Sequence, residues 1–145
     1  MKPTLLAILI STALLSPMRA QSSDDTAAIK QTALDYIEGW YEGNAERMER
    51  ALHPDLAKRI VTRKNTVNNM DAKSLVEATR QGGGKETPAE RQQKDVTILD
   101  VFEKAATVKV VASDWIDYMQ MGKVNGRWLI INVLWEQKPK PAANT

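Results

Sequence analysis

Residues 106–137 read ATVKVVASDWIDYMQMGKVNGRWLIINVLWEQ, and this stretch decides the fold. Asn125-Gly126 is the strongest short-range hairpin signal a sequence offers, because a two-residue type I′ turn needs φ > 0 at both central positions. Val108, Val110, Val111, Trp115, Ile116, Tyr118, Met119 and Met121 precede the turn; Trp128, Leu129, Ile130, Ile131, Val133, Leu134 and Trp135 follow it. β-Branched and aromatic residues at this density predict two long strands.

The hairpin can be written in register. With Val124 opposite Arg127, Tyr118 falls opposite Val133, Ile116 opposite Trp135, Asp117 opposite Leu134 and Met119 opposite Asn132. Alternation then divides the side chains between two faces. One holds Val108, Val110, Ala112, Asp114, Ile116, Tyr118, Leu129, Ile131, Val133 and Trp135. The other holds Val111, Trp115, Asp117, Met119, Met121, Trp128, Ile130, Asn132 and Leu134. Neither face is polar enough for water, so both should be covered. Helices can cover one side, and a second subunit is the simplest cover for the other.

The chain opens with a pattern that belongs to no fold. Lys2 supplies a positive n-region, Leu5 to Leu15 an apolar stretch too short to span a bilayer, and Ala20 a small residue for cleavage before Gln21. Residues 1–20 therefore read as a signal peptide, with Met18 large for its place before the cut. The mature protein is expected in a bacterial periplasm or secreted, with no membrane insertion once the leader is removed. It has no cysteine, so no disulfide and no thioether lipid anchor assists the core.

Export also changes the charge balance. Removing Lys2 and Arg19 from the 20 basic residues leaves 18 against 18 acidic ones. A near-neutral chain without a basic, aromatic-rich stripe argues against nucleic acid as partner. About 125 residues remain for residues 21–145, enough for one domain with one core. That domain is expected over residues 21–138, with the Lys-Pro-rich 139–145 as a disordered tail.

Ser22-Ser23-Asp24-Asp25 can cap a first helix, whose buried face is marked by Ala28, Ile29, Ala33, Tyr36, Ile37 and Trp40 at helical spacing. Gly43 is a natural stop, and Asn44 can cap a short second helix through Met48 and Leu52. His53-Pro54 ends it. Leu56 to Thr62 suits a first strand, of edge type. A third helix is predicted over 72–81, with Ser74 and Glu77 spaced as a capping box. Residues 82–91 read as a flexible loop and Val96 to Glu103 as a strand. Lys104-Ala105 connects into the hairpin, giving two helices, a strand, a helix and three strands.

This order, together with Tyr36-Ile37-Glu38-Gly39-Trp40 and Gly43, His53-Pro54-Asp55, Asp117-Tyr118, Asn125-Gly126-Arg127-Trp128 and Ile131-Asn132-Val133-Leu134-Trp135, resembles the nuclear transport factor 2-like superfamily. Within it the chain is similar to the branch called the putative lumazine-binding family. The resemblance covers essentially the whole mature chain. It implies an α+β cone, with N-terminal helices packed in a curved antiparallel sheet, a pocket between them, and a convex side that often mediates dimers. Relatives include isomerases, dehydratases, polyketide cyclases and proteins without known chemistry, so shared fold selects no one activity.

The chemistry-bearing residues are few. His53 is the only histidine, which excludes a multi-histidine zinc site; no metal and no cofactor are expected. It can act as a base or hydrogen-bonder at a pocket rim, but a histidine near a helix C-terminus is more often a favourable cation there. Asp114 and Asp117 interrupt an apolar strand. Isomerases of the superfamily use a pocket aspartate to move a proton and a tyrosine to hold an oxyanion, yet Asp117 and Tyr118 point to opposite faces, so that pairing is not visible. Paired or bend-sited carboxylates are the commoner case. Tyr36, Trp40, Trp115, Trp128 and Trp135 could stack on a flat ligand, although aromatics at such spacing are more often core. Gly82-Gly83-Gly84-Lys85 lacks the strand, spacing and hydroxyl of a phosphate loop.

The expected function is a small-molecule-binding protein, homodimeric through its outer sheet face, with an unidentified flat, partly apolar ligand and no demonstrated catalysis. Candidate ligand contacts are Tyr36, Trp40, His53, Trp115, Asp117, Met119 and Asn132. Two placements are open: if the Asp117 face lines the cavity, Trp115, Asp117, Met119 and Asn132 lie beneath Trp40; otherwise Tyr118 and Ile116 do. Asp117 and Asn132, polar groups that a mixed pocket needs, favour the first. The alternatives are a cyclase- or isomerase-like enzyme using Asp117 or His53 as proton shuttle, and a structural dimerisation module of the cell envelope.

Overall fold

Asn125 and Gly126 take φ of 49° and 80°, the left-handed pair that a type I′ turn requires, and Val124 lies opposite Arg127 across it. The computed structural model describes residues 23–140. The expected signal peptide with its cleavage site, and most of the expected tail, lie outside the described residues. The elements run α1 (Ser23–Glu42), α2 (Ala45–Ala51), β1 (Leu52–Val61), β2 (Val67–Met70), α3 (Ala72–Arg80), a 3-10 turn at Ala89–Arg91, β3 (Lys94–Phe102), β4 (Ala105–Ala112), β5 (Trp115–Val124) and β6 (Arg127–Gln137). The six strands form one curved, unclosed sheet in the order β2-β1-β6-β5-β4-β3. β1 runs parallel to β6 and every other pair is antiparallel.

Local signals placed the helices well. Gly43 ends α1 at φ 64°, and the Asn44 side chain accepts the Arg47 N–H at the start of α2. Arg47 then ties the helices together, donating to Asp35 at 3.0 Å and Glu42 at 2.9 Å and pairing with Glu38. α3 is capped three residues before the Ser74 of the expected capping box: Asp71 accepts the Ser74 N–H at 2.8 Å. β1 is not an edge strand, since β2, which the sequence does not announce, covers one side and β6 the other.

Two corrections change which residues share a face. The stretch before Asn125 is not one long strand: it turns at Ser113-Asp114 into β4 and β5, paired Val110↔Asp117 and Val108↔Met119. That turn reverses parity, so Val108, Val110 and Ala112 face inward with Asp117, Met119 and Met121 rather than with Ile116 and Tyr118. The second correction is a bulge. Met121 pairs with Ile130 but Gln120 with Asn132, leaving Ile131 as the extra residue. Its Cδ1 atom would lie 2.6 Å from a Cβ at Gly122, so the missing side chain at Gly122 makes room for the bulge. Beyond it the expected register is off by one: Asp117 faces Trp135, Met119 faces Val133, and Asn132 and Leu134 turn outward.

The helices cover the concave face. Ile29, Ala33, Tyr36 and Ile37 of α1 are buried against Val108, Val110, Met119, Ile130 and Val133. The outer face carries a continuous cross-strand row, Arg59–Leu134–Tyr118–Lys109, in which Tyr118 and Leu134 remain 47% and 51% exposed.

Candidate functional site

The centre of the concave face is polar. Asp117, near the start of β5, is completely buried and receives three donors, two of them from other elements. The Lys58 ammonium, from β1, donates to its Oδ1 at 2.6 Å. The Tyr36 hydroxyl, from α1, lies 3.3 Å from both carboxylate oxygens and itself accepts from Lys58 Nζ at 2.7 Å. The Trp115 indole N–H, from the start of β5, donates to Oδ2 at 2.7 Å. Lys58 Nζ also sits 4.7 Å from the Trp135 ring centroid and 5.4 Å from that of Tyr36, the geometry of a cation over an aromatic face.

Each placement has a local cause. Lys58 occupies an inward position of β1 between Leu56 and Ile60, so alternation carries its stem into the core. Tyr36 lies one turn from Ala33 and next to Ile37 on the buried stripe of α1. Trp135 reaches the inner face only because the Ile131 bulge shifts β6 by one residue. Burial lowers the Lys58 ammonium from the usual lysine value, against the opposing attraction and hydrogen bond of Asp117. Burial, followed by the Asp117 charge and its hydrogen bond, holds the Tyr36 phenol well above its ordinary 10.0.

Above this cluster stand three half-buried indoles. Trp40 meets Trp115 edge to face, with centroids 6.3 Å apart and planes at 82°, and Trp135 faces Lys58 across the concave surface. The glycine-rich segment after α3 is not a free loop. Gly84 N–H donates to the Trp40 carbonyl at 2.9 Å, and Gly84 is buried against the Trp40 indole. A Cβ at Gly83 would come within 2.7 Å of that carbonyl. The glycines allow the segment to close over the end of α1, which is backbone docking rather than a phosphate cradle.

The candidates from the sequence therefore separate. Tyr36, Asp117 and Met119 lie together in the interior, and Trp40 and Trp115 form its rim. Asn132 lies on the opposite side of the sheet, where its amide donates to Gln120 at 3.2 Å. There it lines an open outer depression of about 360 Å³ with Arg59, Tyr118 and Leu134. His53 lies at the start of β1, its Nδ1 accepting the Asp55 N–H at 3.1 Å, and it contacts no member of the Asp117 cluster. Asp114 sits at the β4–β5 bend, 3.9 Å from Arg91. Sequence reasoning overlooked Lys58 and put Trp135 on the wrong face. A lysine between two apolar residues at alternating spacing was the available signal for the first. A tyrosine–aspartate contact does exist, through Tyr36 of a distant helix instead of Tyr118.

The architecture is the α+β, nuclear transport factor 2-like fold. The chain belongs to the family described as Putative lumazine-binding, whose model matches residues 24–136. Among solved structures it is similar to a ntf2-like protein of unknown function from Shewanella baltica OS155, with 17% identity, TM-score 0.68, and coverage of 84% of this chain and 100% of that one. A ntf2-like protein of unknown function from Methylobacillus flagellatus KT gives 23% identity, TM-score 0.67, and coverage of 82% and 96%. One from Silicibacter pomeroyi DSS-3 gives 14% identity, TM-score 0.67, and coverage of 82% and 100%. No curated protein matches the sequence.

Proposed function

We propose that this is an exported small-molecule-binding protein of the periplasm or external medium, which takes a flat, partly apolar ligand between α1 and the concave sheet face. The observation that carries the reading is the rim of Trp40, Trp115 and Trp135 over a buried Lys58–Asp117–Tyr36 cluster. Indoles supply stacking area, and the ion pair supplies both a donor and an acceptor for orienting a polar edge. Replacing a buried ion pair by apolar side chains is often neutral or stabilising, so packing alone gives little reason for one here. Residues 1–20 support export by their charged, apolar and small-residue pattern.

Melting-temperature shifts against a panel of pteridine, flavin-related and simple aromatic compounds test this, since a ligand specific to the folded state stabilises by mass action. Binding should also change the fluorescence of the rim tryptophans. A panel without shifts, joined to a Lys58→Met/Asp117→Leu protein clearly less stable than wild type, would turn the reading toward a structural module.

The same reading has the outer face covered by a second copy. A two-fold axis lying in that face and parallel to the strands would bring the β1 side of one protomer over the β3 side of its partner, with Arg59 toward the exposed Asp95 and Asp100. The apolar pair Tyr118 and Leu134 lies between these charges.

An enzyme is the second reading, favoured by the Tyr36–Asp117 contact at 3.3 Å. Against Asp117 as a free base stands its full set of donors, Lys58, Tyr36 and Trp115. Asp117→Asn separates the two: a shuttle loses turnover with ligand affinity retained, whereas a pure binder has no turnover to lose.

A further inference from the structure

Of Lys58, Tyr36 and Asp117, Lys58 is the least buried. It keeps 7% of its surface exposed, against 3% for Tyr36 and none for Asp117. Its amine is flanked on one side by the proton-accepting Asp117 carboxylate at 2.6 Å and on another by the Tyr36 hydroxyl at 2.7 Å. The Trp135 ring forms a third, apolar wall. An ammonium, a carboxylate that can take its proton, and a hydroxyl that can pass one on are the parts that amine–carbonyl condensation needs.

We propose that Lys58 captures small apolar aldehydes or ketones as a protonated imine beneath the indole rim. This rests on the ligand-binding reading above and adds a covalent step to it. Lys58 passes one proton to Asp117, and the freed nitrogen lone pair attacks the carbonyl carbon while the C=O π pair moves to oxygen. The oxygen takes a proton relayed through Tyr36, and the nitrogen returns one to the Asp117–Tyr36 pair, leaving a carbinolamine. Asp117 then protonates the hydroxyl, the C–O bond breaks, water leaves, and the nitrogen lone pair closes the C=N bond. The overall change is one ammonium plus one carbonyl to one iminium plus one water, with Asp117 again a carboxylate. A ligand without a carbonyl has no such step, so the site would discriminate an aldehyde from its alcohol. Lowering of the Lys58 ammonium by burial works in the same direction, because only the neutral amine is nucleophilic.

The test uses wild-type protein at pH 7 with benzaldehyde and sodium cyanoborohydride, followed by peptide mass mapping. Lys58 should gain one benzyl group about tenfold or more faster than the exposed Lys64 and Lys104, since burial enlarges the neutral fraction of an amine. Tyr36→Phe should slow that labelling without moving it to another lysine. Labelling of Lys58 no faster than of the exposed lysines, or only after urea unfolds the chain, overturns the proposal and leaves a structural ion pair. Benzyl alcohol separates this claim from the one beneath it. A raised melting temperature with the alcohol but no adduct with the aldehyde removes the covalent step alone. No adduct and no shift with any compound of the panel removes ligand binding as well.

Discussion

Lys58→Met keeps most of the side chain's length and apolar stem while deleting its charge. Asp117 is then a wholly buried carboxylate left with two neutral donors, Tyr36 and Trp115. Breaking a buried pair by removing one partner costs about 3–5 kcal/mol, because the stranded charge has lost its solvation and its counter-ion together. The same deletion in an exposed pair costs about 0–1 kcal/mol. Unfolding entropy near 2.1 cal/mol/K per residue, taken over residues 23–140, gives about 0.25 kcal/mol/K, so the melting temperature should fall by about 12–20 °C. Urea and thermal unfolding at pH 7 measure this directly. Lys58→Met/Asp117→Leu removes both charges and should return to within about 1 kcal/mol of wild type or exceed it. A loss below about 1 kcal/mol for Lys58→Met would refute the claim that this pair is buried and coupled.

Three further outcomes follow from the geometry. The Tyr36 phenol is held above 10.0, so the native ultraviolet titration of Tyr36→Phe should superimpose on wild type until unfolding begins. The sign is that of a raised acid: its stabilising contribution is full below about pH 10 and is lost as pH climbs from there toward the folded-state value. Gly83→Ala places a Cβ 2.7 Å from the Trp40 carbonyl at a residue with φ 49°; urea midpoints should show a loss of about 2–4 kcal/mol and the Trp40 fluorescence should shift. Tyr118→Glu with Leu134→Lys on the outer face should give monomers in sedimentation analysis with the Lys58→Met coupling unchanged; dimers that persist would move the interface elsewhere.

Several of these features were readable before any coordinates. The Asn125-Gly126 turn, the α1 stripe from Ile29 to Trp40, the Gly43 stop and the Asn44 cap depend on rules that act within a few residues, and the chain writes them locally. The inward direction of Asp117 was favoured correctly, and the expected fold family is the one observed. The site itself was only half legible. Tyr36 and Asp117 were named for separate reasons, whereas their contact spans 81 positions of chain and the Lys58–Asp117 contact 59. Composition carries no mark of which distant side chains will meet.

What residues 23–140 determined by themselves was the kind and sequence of most elements, because caps, turns and periodicity are short-range. What the tertiary structure decided was parity. The bend at Ser113-Asp114 and the extra residue at Ile131 each move a whole strand by one position, and a pleated strand turns every side chain to the other face when that happens. Those two shifts put Trp135 beside Lys58 and sent Asn132 outward. Both depend on how much room neighbouring strands leave, above all the space at Gly122, and that is a property of the packed sheet rather than of either strand.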